Sequence, residues 1–307
     1  MTRLTVRLIL FNIFICISLA CSENDTIKES PEEEFKEIKV MTYNILYSTS
    51  NENTLKVLRE TAADIIGLQE ISTTRLIGLG QQLKYHYYSF PKTAANMSDE
   101  DTGILSRFPI TQFLTNGVVV KVNPALSVAI FTVHLSPYPY EPYDFRDGII
   151  TTAEQAIASA SATRLPEIQP VLAEISELQK ESVPVFLTGD FNEPSLLDWT
   201  STTAGNNMHF GKVVEWPVSK SIVESGLTDV YRSKFTNPAN FPGNTWTTIQ
   251  SAEEIYDRID IIYQTNETTF TLKDIRLVGG EGDSAGITVE GYASDHYAVI
   301  ATYTLAP

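Results

Sequence analysis

The chain has very few cysteines and comparatively few basic residues. Its 307 residues include only two cysteines, Cys16 and Cys21, so neither a disulfide framework nor a cysteine-based zinc cluster can form. Lys and Arg number 22 against 38 Asp and Glu, which gives a formal net charge of −16. This acidic balance argues against nucleic-acid binding through a broad basic face. It does not exclude a nuclease, because a bound divalent cation supplies local positive charge.

Apolar patterning is ordinary and continuous. Hydrophobic residues make up 43% of the chain and charged residues 20%, as in folded globular proteins rather than disordered ones. From residue 36 onward strand patterns alternate with helical patterns, and no linker divides them. We therefore predict one α/β domain over residues 37–307, built as a four-layer sandwich in which two mixed β-sheets pack face to face with helices outside.

The first twenty residues have the pattern of a secretory signal peptide. Arg3 and Arg7 precede an apolar run over residues 8–20 that ends in small residues. The run is shorter than the roughly 20 residues that span a membrane comfortably, and an uncleaved anchor is the alternative. Residues 18–21, Ser-Leu-Ala-Cys, resemble the lipobox of bacterial lipoproteins, which implies that Cys21 is lipidated and becomes the mature N-terminus.

Acidic residues follow this cysteine. Residues 21–36 are rich in Glu and poor in apolar side chains, so we predict a flexible tether. The expected protein is exported and lipid-anchored to a bacterial outer membrane, in the periplasm or at the cell surface. We expect a monomer without an obligate protein partner.

Apolar runs of strand length recur along the domain. Two proline-containing stretches interrupt them: residues 136–147 are predicted to form a loop, and residues 152–180 a helical stretch broken or kinked at Pro166 and Pro170. Further helices are predicted over 54–62 and 74–83, and strands over 38–45, 63–68, 86–90, 103–106, 118–122, 127–134, 184–188, 259–263, 270–278 and 297–304.

Polar side chains stand at the ends of several predicted strands. Asp190 and Asn192 follow a buried strand and point to one side of an extended chain, so they can address a shared ligand. Glu70 ends another buried strand, and Mg²⁺ prefers one or two carboxylates among its ligands. Asn44 ends the first strand, and His134 lies in an alternating apolar strand. Each residue alone also fits a structural role as a turn, cap or core residue.

Two later segments carry further titratable groups. Asp260 stands in an apolar strand, where a carboxylate without a partner is costly, and a salt bridge to an arginine is the alternative explanation. Asp295 and His296 are adjacent just before the last predicted strand, where a loop allows both to converge on one site.

These residues occur in one order and with distinctive flanks. The sequences Thr-Tyr-Asn, Leu-Gln-Glu, Thr-Val-His-Leu, Gly-Asp-Phe-Asn, Arg-Ile-Asp and Ser-Asp-His surround them. The ordered set, which extends over residues 38–305, resembles the endonuclease/exonuclease/phosphatase superfamily, also called the exonuclease-III-like or deoxyribonuclease-I-like fold. Any single motif is weak, whereas the ordered set is specific.

The resemblance implies a divalent-metal site. Glu70 would be the principal metal carboxylate, with Asn44 beside it and Asp295 joining them. The cofactor would be Mg²⁺ or Mn²⁺, which stabilises the negative charge that develops when a phosphoester is hydrolysed.

The resemblance also implies which groups face the phosphate. Asp190 and Asn192 would face the scissile phosphate, and His134 would donate to a phosphoryl oxygen. Asp260 would hold His296, and that pair would activate the attacking water or bind the phosphate. Whether Asp190 or the pair takes the proton of the water stays open at this point.

Four more residues are candidate substrate contacts. Tyr138 and Tyr140 follow His134 in the predicted loop and could stack on the substrate or bind it by hydrogen bonds, unless the loop packs on itself. Trp246 lines the same cleft or belongs to the core. Arg107 follows a strand and binds phosphate or forms a structural ion pair.

The resulting functional prediction is an extracytoplasmic, divalent-metal-dependent phosphoesterase that hydrolyses a phosphodiester or a phosphomonoester. Its substrate would be a phosphorylated small molecule, a lipid head group or an oligonucleotide. The alternatives are a secreted nuclease that acts on DNA or RNA, and a catalytically silent binding lipoprotein of the same fold.

Overall fold

The computed structural model describes residues 36–95, 101–266, 269–280 and 286–305, and all of them belong to one compact unit. The predicted signal peptide, the lipidated Cys21 and almost all of the predicted tether lie outside the described residues. Within the described residues, no helix combines the length and the apolar character needed to cross a membrane.

The first β-sheet, as far as the chain is described, has seven strands. They lie in the order β12 (Ile287–Thr288), β11 (Phe270–Gly279), β13 (Ala298–Leu305), β1 (Glu37–Asn44), β2 (Ile65–Gln69), β4 (Thr102–Ser106) and β3 (His86–Ser89). Strands β1 and β2 are parallel, as are β11 and β12, whereas the other neighbours are antiparallel. The sheet is therefore mixed, as predicted.

The second β-sheet has six strands in the described part of the chain. Their order is β5 (Ile110–Phe113), β6 (Gly117–Asn123), β7 (Leu126–His134), β8 (Val185–Asp190), β10 (Asp260–Thr265) and β9 (Leu227–Asp229). Only β7 and β8 run parallel among these described pairs. A parallel pair needs a long crossover, and here the connection contains most of the helices that cover this sheet.

Helices cover the outer faces of both sheets. The helices are α1 (Asn51–Thr61), α2 (Thr73–Leu83), α3 (Glu141–Arg146), α4 (Ala153–Thr163), α5 (Leu165–Lys180), α6 (Ser201–Gly205), α7 (Pro217–Glu224) and α8 (Val230–Lys234), with a 3₁₀ turn at His209–Gly211. Ser50 and Ser72 cap the N-termini of α1 and α2 by accepting backbone N–H bonds.

Three apolar cores separate four layers and confirm the predicted sandwich. Val40 and Ile65 of the first sheet pack with Ile130 and Phe186 of the second in the central core. A second core lies between the first sheet and α1 and α2, and a third between the second sheet and α5 and α7. Strands buried on both faces need near-continuous apolar sequence, which is why β2 and β8 were recognisable.

Of the two proline-based predictions, the loop was wrong, whereas the break in the helical stretch is confirmed near Pro166 but not at Pro170. The stretch 136–147 contains the helix α3, because Pro142 stands in its first turn, where a missing N–H costs nothing. The predicted break in 152–180 falls at Arg164, and Pro166 opens the following helix. Pro170 does not end α5, since it lies on an exposed face and removes only one backbone hydrogen bond.

The two sheets approach each other closely at Gly67 of β2. A Cβ atom at this position would overlap the hydroxyl groups of Thr188 on β8 and Thr132 on β7. Next to it, the Gln69 side chain donates to the Thr132 hydroxyl at 2.8 Å. The small residue and this polar contact bring the ends of β2 and β8 together across the sandwich.

Candidate active site

Strand ends from both sheets meet at one edge of the sandwich. In the first sheet Glu70 comes directly after β2, which pairs in parallel with the end of β1 at Asn44. In the second sheet His134 and Asp190 are register partners at the ends of β7 and β8. The Asn44 side chain links the sheets, because its amide nitrogen donates to Glu70 at 3.2 Å and to Asp190 at 3.0 Å. The structure thus brings these four predicted residues together.

Asp260 and His296 form a buried pair beside Asp190. Asp260 begins β10 opposite Asp190 in the antiparallel register, and its carboxylate lies 2.9 Å from Nδ1 of His296. The other ring nitrogen, Nε2, lies 3.8 Å from the Asp190 carboxylate. Burial alone would lower the pKa of His296, but the two carboxylates outweigh it and raise the pKa to about 10. The imidazole is therefore a cation at neutral pH.

A second carboxylate-held imidazole faces Asp190 from the opposite side. His134 Nδ1 lies 2.9 Å from the carboxylate of Asp101, and its Nε2 lies 3.7 Å from Asp190. Burial lowers the pKa of His134, whereas the hydrogen bond that its ring donates to Asp101 and the charge of Asp190 raise it, with a net increase. Asp190 is thus flanked by two imidazoles, each held in place by its own carboxylate.

Asp101 is a site residue that sequence reasoning missed. It immediately precedes β4, and the register pairs Thr102 with Gln69, so Asp101 lies beside Glu70 at the same sheet edge. The available signal was an acid at the boundary of a buried strand, the same signal that singled out Glu70. Whether such an acid belongs to the site depends on which strands pair, and the local sequence does not reveal that pairing.

Asp190 stands at the centre of the cluster. Burial and the neighbouring Asp260 raise its pKa to about 6, although the two histidines and Asn44 oppose that increase. One Asp190 oxygen also accepts the backbone N–H of Asn192 at 3.0 Å. The Asn192 side chain in turn donates to the carbonyl of Leu135 at 2.9 Å, which fixes the loop after β8 against the end of β7.

The remaining carboxylates suit a hard divalent cation. Glu70 and Asp295 both line the pocket, and burial, with a smaller contribution from Glu70, raises the pKa of Asp295. One buried Asp295 oxygen has no hydrogen-bond partner among the described residues. A cation relieves the repulsion between two such acids and satisfies that oxygen, so these residues fit Mg²⁺ or Mn²⁺. Asn44 turns its amide nitrogen toward Glu70, and in that orientation it positions the carboxylate rather than adding a metal ligand.

A different trio, Asp190, Asp260 and His296, also lies close enough to share an ion, with ligand atoms within 4.8 Å of one another. However, both ring nitrogens of His296 already face carboxylates, and the raised pKa keeps both protonated. A protonated nitrogen has no lone pair for a metal. In this geometry the trio forms a buried cluster in which the imidazole bridges two carboxylates.

Three of the four predicted substrate contacts line the pocket. Tyr138 is 72% exposed at its mouth, and Tyr140 is buried with its hydroxyl bound to Asp257 at 3.0 Å. The Trp246 ring packs on the imidazole of His296 with centroids 4.8 Å apart. Tyr140 is thus a buried residue as well as a pocket residue, whereas Trp246 is half-buried in the pocket lining.

Arg107 does not reach the pocket, and its predicted contact with phosphate was wrong. Arg107 follows β4, whereas Asp101 precedes it. Because β4 runs antiparallel to β2, the end with Asp101 lies beside Glu70 and the end with Arg107 lies away from it. There its guanidinium lies 3.2 Å from the Asp64 carboxylate and donates to the Tyr85 hydroxyl. The alternative of a structural ion pair describes it correctly.

Tyr47 is a second pocket residue that sequence reasoning missed. Its backbone N–H donates to Glu70 at 3.0 Å, while its hydroxyl donates to Asp101. It therefore joins the carboxylate of the candidate metal site to the carboxylate that holds His134. It lies in the loop after β1, and no sequence pattern distinguished it from an ordinary surface tyrosine.

Comparisons with known proteins agree with this architecture. The chain is 28% identical over 317 aligned residues to "Uncharacterized protein F14F9.5" of Caenorhabditis elegans, covering 94% of this chain and 97% of that protein. TDP2 of C. elegans matches with a TM-score of 0.53 and 16% identity over 89% of this chain and 77% of its own. An endonuclease/exonuclease/phosphatase protein of Beutenbergia cavernae matches at 0.54 and 18%, over 89% and 72%. At these identities the structural matches show a shared fold.

TDP2 of D. rerio, in a crystal structure with a single-strand DNA product, matches with a TM-score of 0.54 and 17% identity, over 88% of this chain and all of that one. The family model described as "Endonuclease/Exonuclease/phosphatase family" matches residues 41–296, which include every described residue that lines the pocket, from Tyr47 to His296. With the two-sheet sandwich and the site at its edge, this match shows that the chain belongs to the endonuclease/exonuclease/phosphatase family.

Proposed function

We propose that this chain is a divalent-metal-dependent phosphoesterase that hydrolyses a phosphodiester or phosphomonoester outside the cytoplasm. The observation that carries the proposal is the composition of one pocket. Two carboxylates suited to a cation, Glu70 and Asp295, lie across from two imidazoles held by carboxylates. Hydrolysis of a phosphoester needs both positive charge near the phosphoryl oxygens and a group that accepts a proton from water.

The protonation states support a division of roles. His296, with a pKa of about 10, is charged at neutral pH and can donate from Nε2 to a phosphoryl oxygen. Asp190, with a pKa of about 6, is mostly ionised and can accept the proton of the attacking water. A bound Mg²⁺ or Mn²⁺ would be held by Glu70 and Asp295 and would supply positive charge. This favours Asp190 over the Asp260–His296 pair as the base.

The direct test is a panel of substrates assayed with Mg²⁺, with Mn²⁺ and with excess chelator. The panel holds bis-nitrophenyl phosphate, nitrophenyl phosphate, an inositol phosphate, sphingomyelin and DNA. We expect metal-dependent turnover of at least one ester and a loss on the order of 10²-fold or more in Glu70→Gln. Glu177→Gln, an exposed change on α5, is the control.

Full activity in chelator would contradict the metal role. If no ester were turned over with either metal, the catalytically silent binding lipoprotein would become the better description of the chain.

A nuclease is the second candidate function. The observation in its favour is the likeness in fold to TDP2 of D. rerio, whose structure holds a single-strand DNA product. Two features weigh against a polymer substrate: the net charge of −16, and a pocket lining that contains neither Lys nor Arg among the described residues. We expect slow degradation of plasmid and single-stranded DNA at physiological salt. Faster turnover of DNA than of small esters would favour the nuclease.

A further inference from the structure

Aromatic rings form a large part of the pocket lining. Tyr47, Tyr138, Tyr140, Tyr143 and Trp246 line the pocket together with a proline and an isoleucine, and we call these five residues the aromatic wall. The catalytic groups described above form the rest of the lining. The pocket therefore combines polar groups, suited to phosphate, with an area of ring surface.

The polar atoms of the aromatic wall are engaged by the protein. The Trp246 ring N–H donates to the Tyr143 hydroxyl at 2.9 Å, and that hydroxyl donates to Glu254. The hydroxyl of Tyr140 is likewise bound to Asp257.

The polar atom of Tyr47 is also engaged, because its hydroxyl donates to Asp101. Tyr138 is the exception, with no hydrogen-bond partner among the described residues. Four of the five residues therefore present mainly carbon to a ligand, in spite of their polar atoms.

The charge and the volume of the pocket further limit the class of ligand that fits. Among the described lining residues the basic side chains are the two histidines. Both face Asp190, and His296 also packs against Trp246 of the aromatic wall. The Arg146 guanidinium lies 4.5 Å from the centre of the Tyr143 ring, but it pairs with Asp147 and does not line the pocket. A second phosphate on the ligand would therefore meet neither Lys nor Arg among the described lining residues. The pocket volume is about 170 Å³. A cavity of about 150 Å³ accommodates a benzene-sized group, so the pocket as a whole has room for a small organic group and not for a large one.

We propose that the aromatic wall is a subsite for an apolar organic group of the phosphoester. This inference rests on the proposed phosphoesterase function and adds the substrate class. An apolar group gains from leaving water for ring surface, whereas a polyhydroxylated or phosphorylated group loses hydrogen bonds with water and finds few replacements. The enzyme therefore selects phosphoesters with a ring-sized apolar substituent over sugar-like or polyanionic ones.

The test compares two phosphodiesters whose alcohols have similar acidity but different polarity: benzyl methyl phosphate and glyceryl methyl phosphate. With Mg²⁺ present, we expect kcat/KM for the benzyl ester to exceed that for the glyceryl ester by about tenfold or more. Tyr138→Ala should reduce this ratio by about fivefold, because it removes the exposed ring at the mouth. Phe113→Ala removes an aromatic that is 61% exposed on β5, outside the pocket, and should leave the ratio unchanged.

Two results overturn the subsite while the phosphoesterase function stands: equal kcat/KM for the two esters, or an unchanged ratio in Tyr138→Ala. Absence of turnover of both esters, together with inactivity on the wider panel, would overturn the proposed function and the subsite with it. The two failures are therefore distinguishable.

Discussion

At the scale of single residues, His296 owes its charge and its orientation to Asp260. Removing either partner leaves the other buried without its hydrogen bond. We expect Asp260→Asn and His296→Ala each to lower kcat by about 10²-fold or more. The double variant should be little worse than His296→Ala alone, because coupled groups lose their effect together. Steady-state kinetics measures both, and His86→Ala on the exposed strand β3 is the control.

Independent, multiplying losses would contradict this coupling, and so would a silent Asp260→Asn. Asp190 would then have to act without help from the pair.

A second residue-scale prediction concerns Glu193, which follows Asn192 in the loop after β8. It is buried against Arg164, which also binds Glu141. Burial raises the pKa of Glu193 to about 7, although Arg164 opposes the increase. The folded state therefore holds a proton that the unfolded state releases between about pH 4.5 and 7, so this group makes the free energy of unfolding fall as the pH rises through that window.

Glu193→Gln should remove that contribution, which is on the order of 2–3 kcal/mol. Urea unfolding at pH 5 and pH 7.5 gives the free energy of unfolding of the wild type and of the variant at each pH. The change in that free energy with pH, the slope, is then compared between the two proteins. Glu177→Gln should retain the slope of the wild type. If the Glu193→Gln and wild-type curves run parallel, Glu193 is ionised throughout this range.

At the scale of elements, the position of β2 against β8 sets the geometry of the site. Gly67→Ala places a Cβ against two threonine hydroxyls of the other sheet, so it must push the sheets apart. We expect a decrease of about 1–3 kcal/mol in the free energy of unfolding and reduced kcat, since Glu70 moves away from Asp190. Gly78→Ala on α2, where a Cβ meets no atom within 4 Å, should be neutral or stabilising by up to about 1 kcal/mol.

Thermal unfolding and kinetics of the two variants provide the comparison. Equal stability of Gly67→Ala and the wild type would show that the sheets adjust without cost.

The elements also show how far sequence reasoning extends. Strands β2 and β8 are buried on both faces, so their apolar runs identified them and the acids at their ends. Asp101 and Arg107 stand at opposite ends of β4, and which end meets Glu70 depends on the antiparallel pairing of β4 with β2. Long-range pairing leaves no mark in the local sequence. The sequence therefore predicted the architecture and most of the cluster, but assigned Arg107 to the wrong end and overlooked Asp101.

At the scale of the whole molecule, the proposed location outside the cytoplasm depends on the first 21 residues. In a bacterial host, we expect the wild-type protein in the membrane fraction with a lipid-modified N-terminus. Cys21→Ala should release it from the membrane, because the acyl chains supply the attachment. Cys16→Ala, within the predicted signal peptide, should behave like the wild type. Cell fractionation and mass spectrometry of the mature N-terminus would contradict the anchor if they showed cleavage elsewhere and no lipid.

The place of β13 in the first sheet has a consequence for when the site comes into existence. This strand inserts between β1 and β11, and His296 stands two residues before it. A nascent chain emerges from its N-terminus, so the sheet keeps a gap at its middle until residues near 305 have been synthesised. Closure of that gap also delivers the last catalytic group. The candidate site therefore stays incomplete during the synthesis of every element that precedes His296.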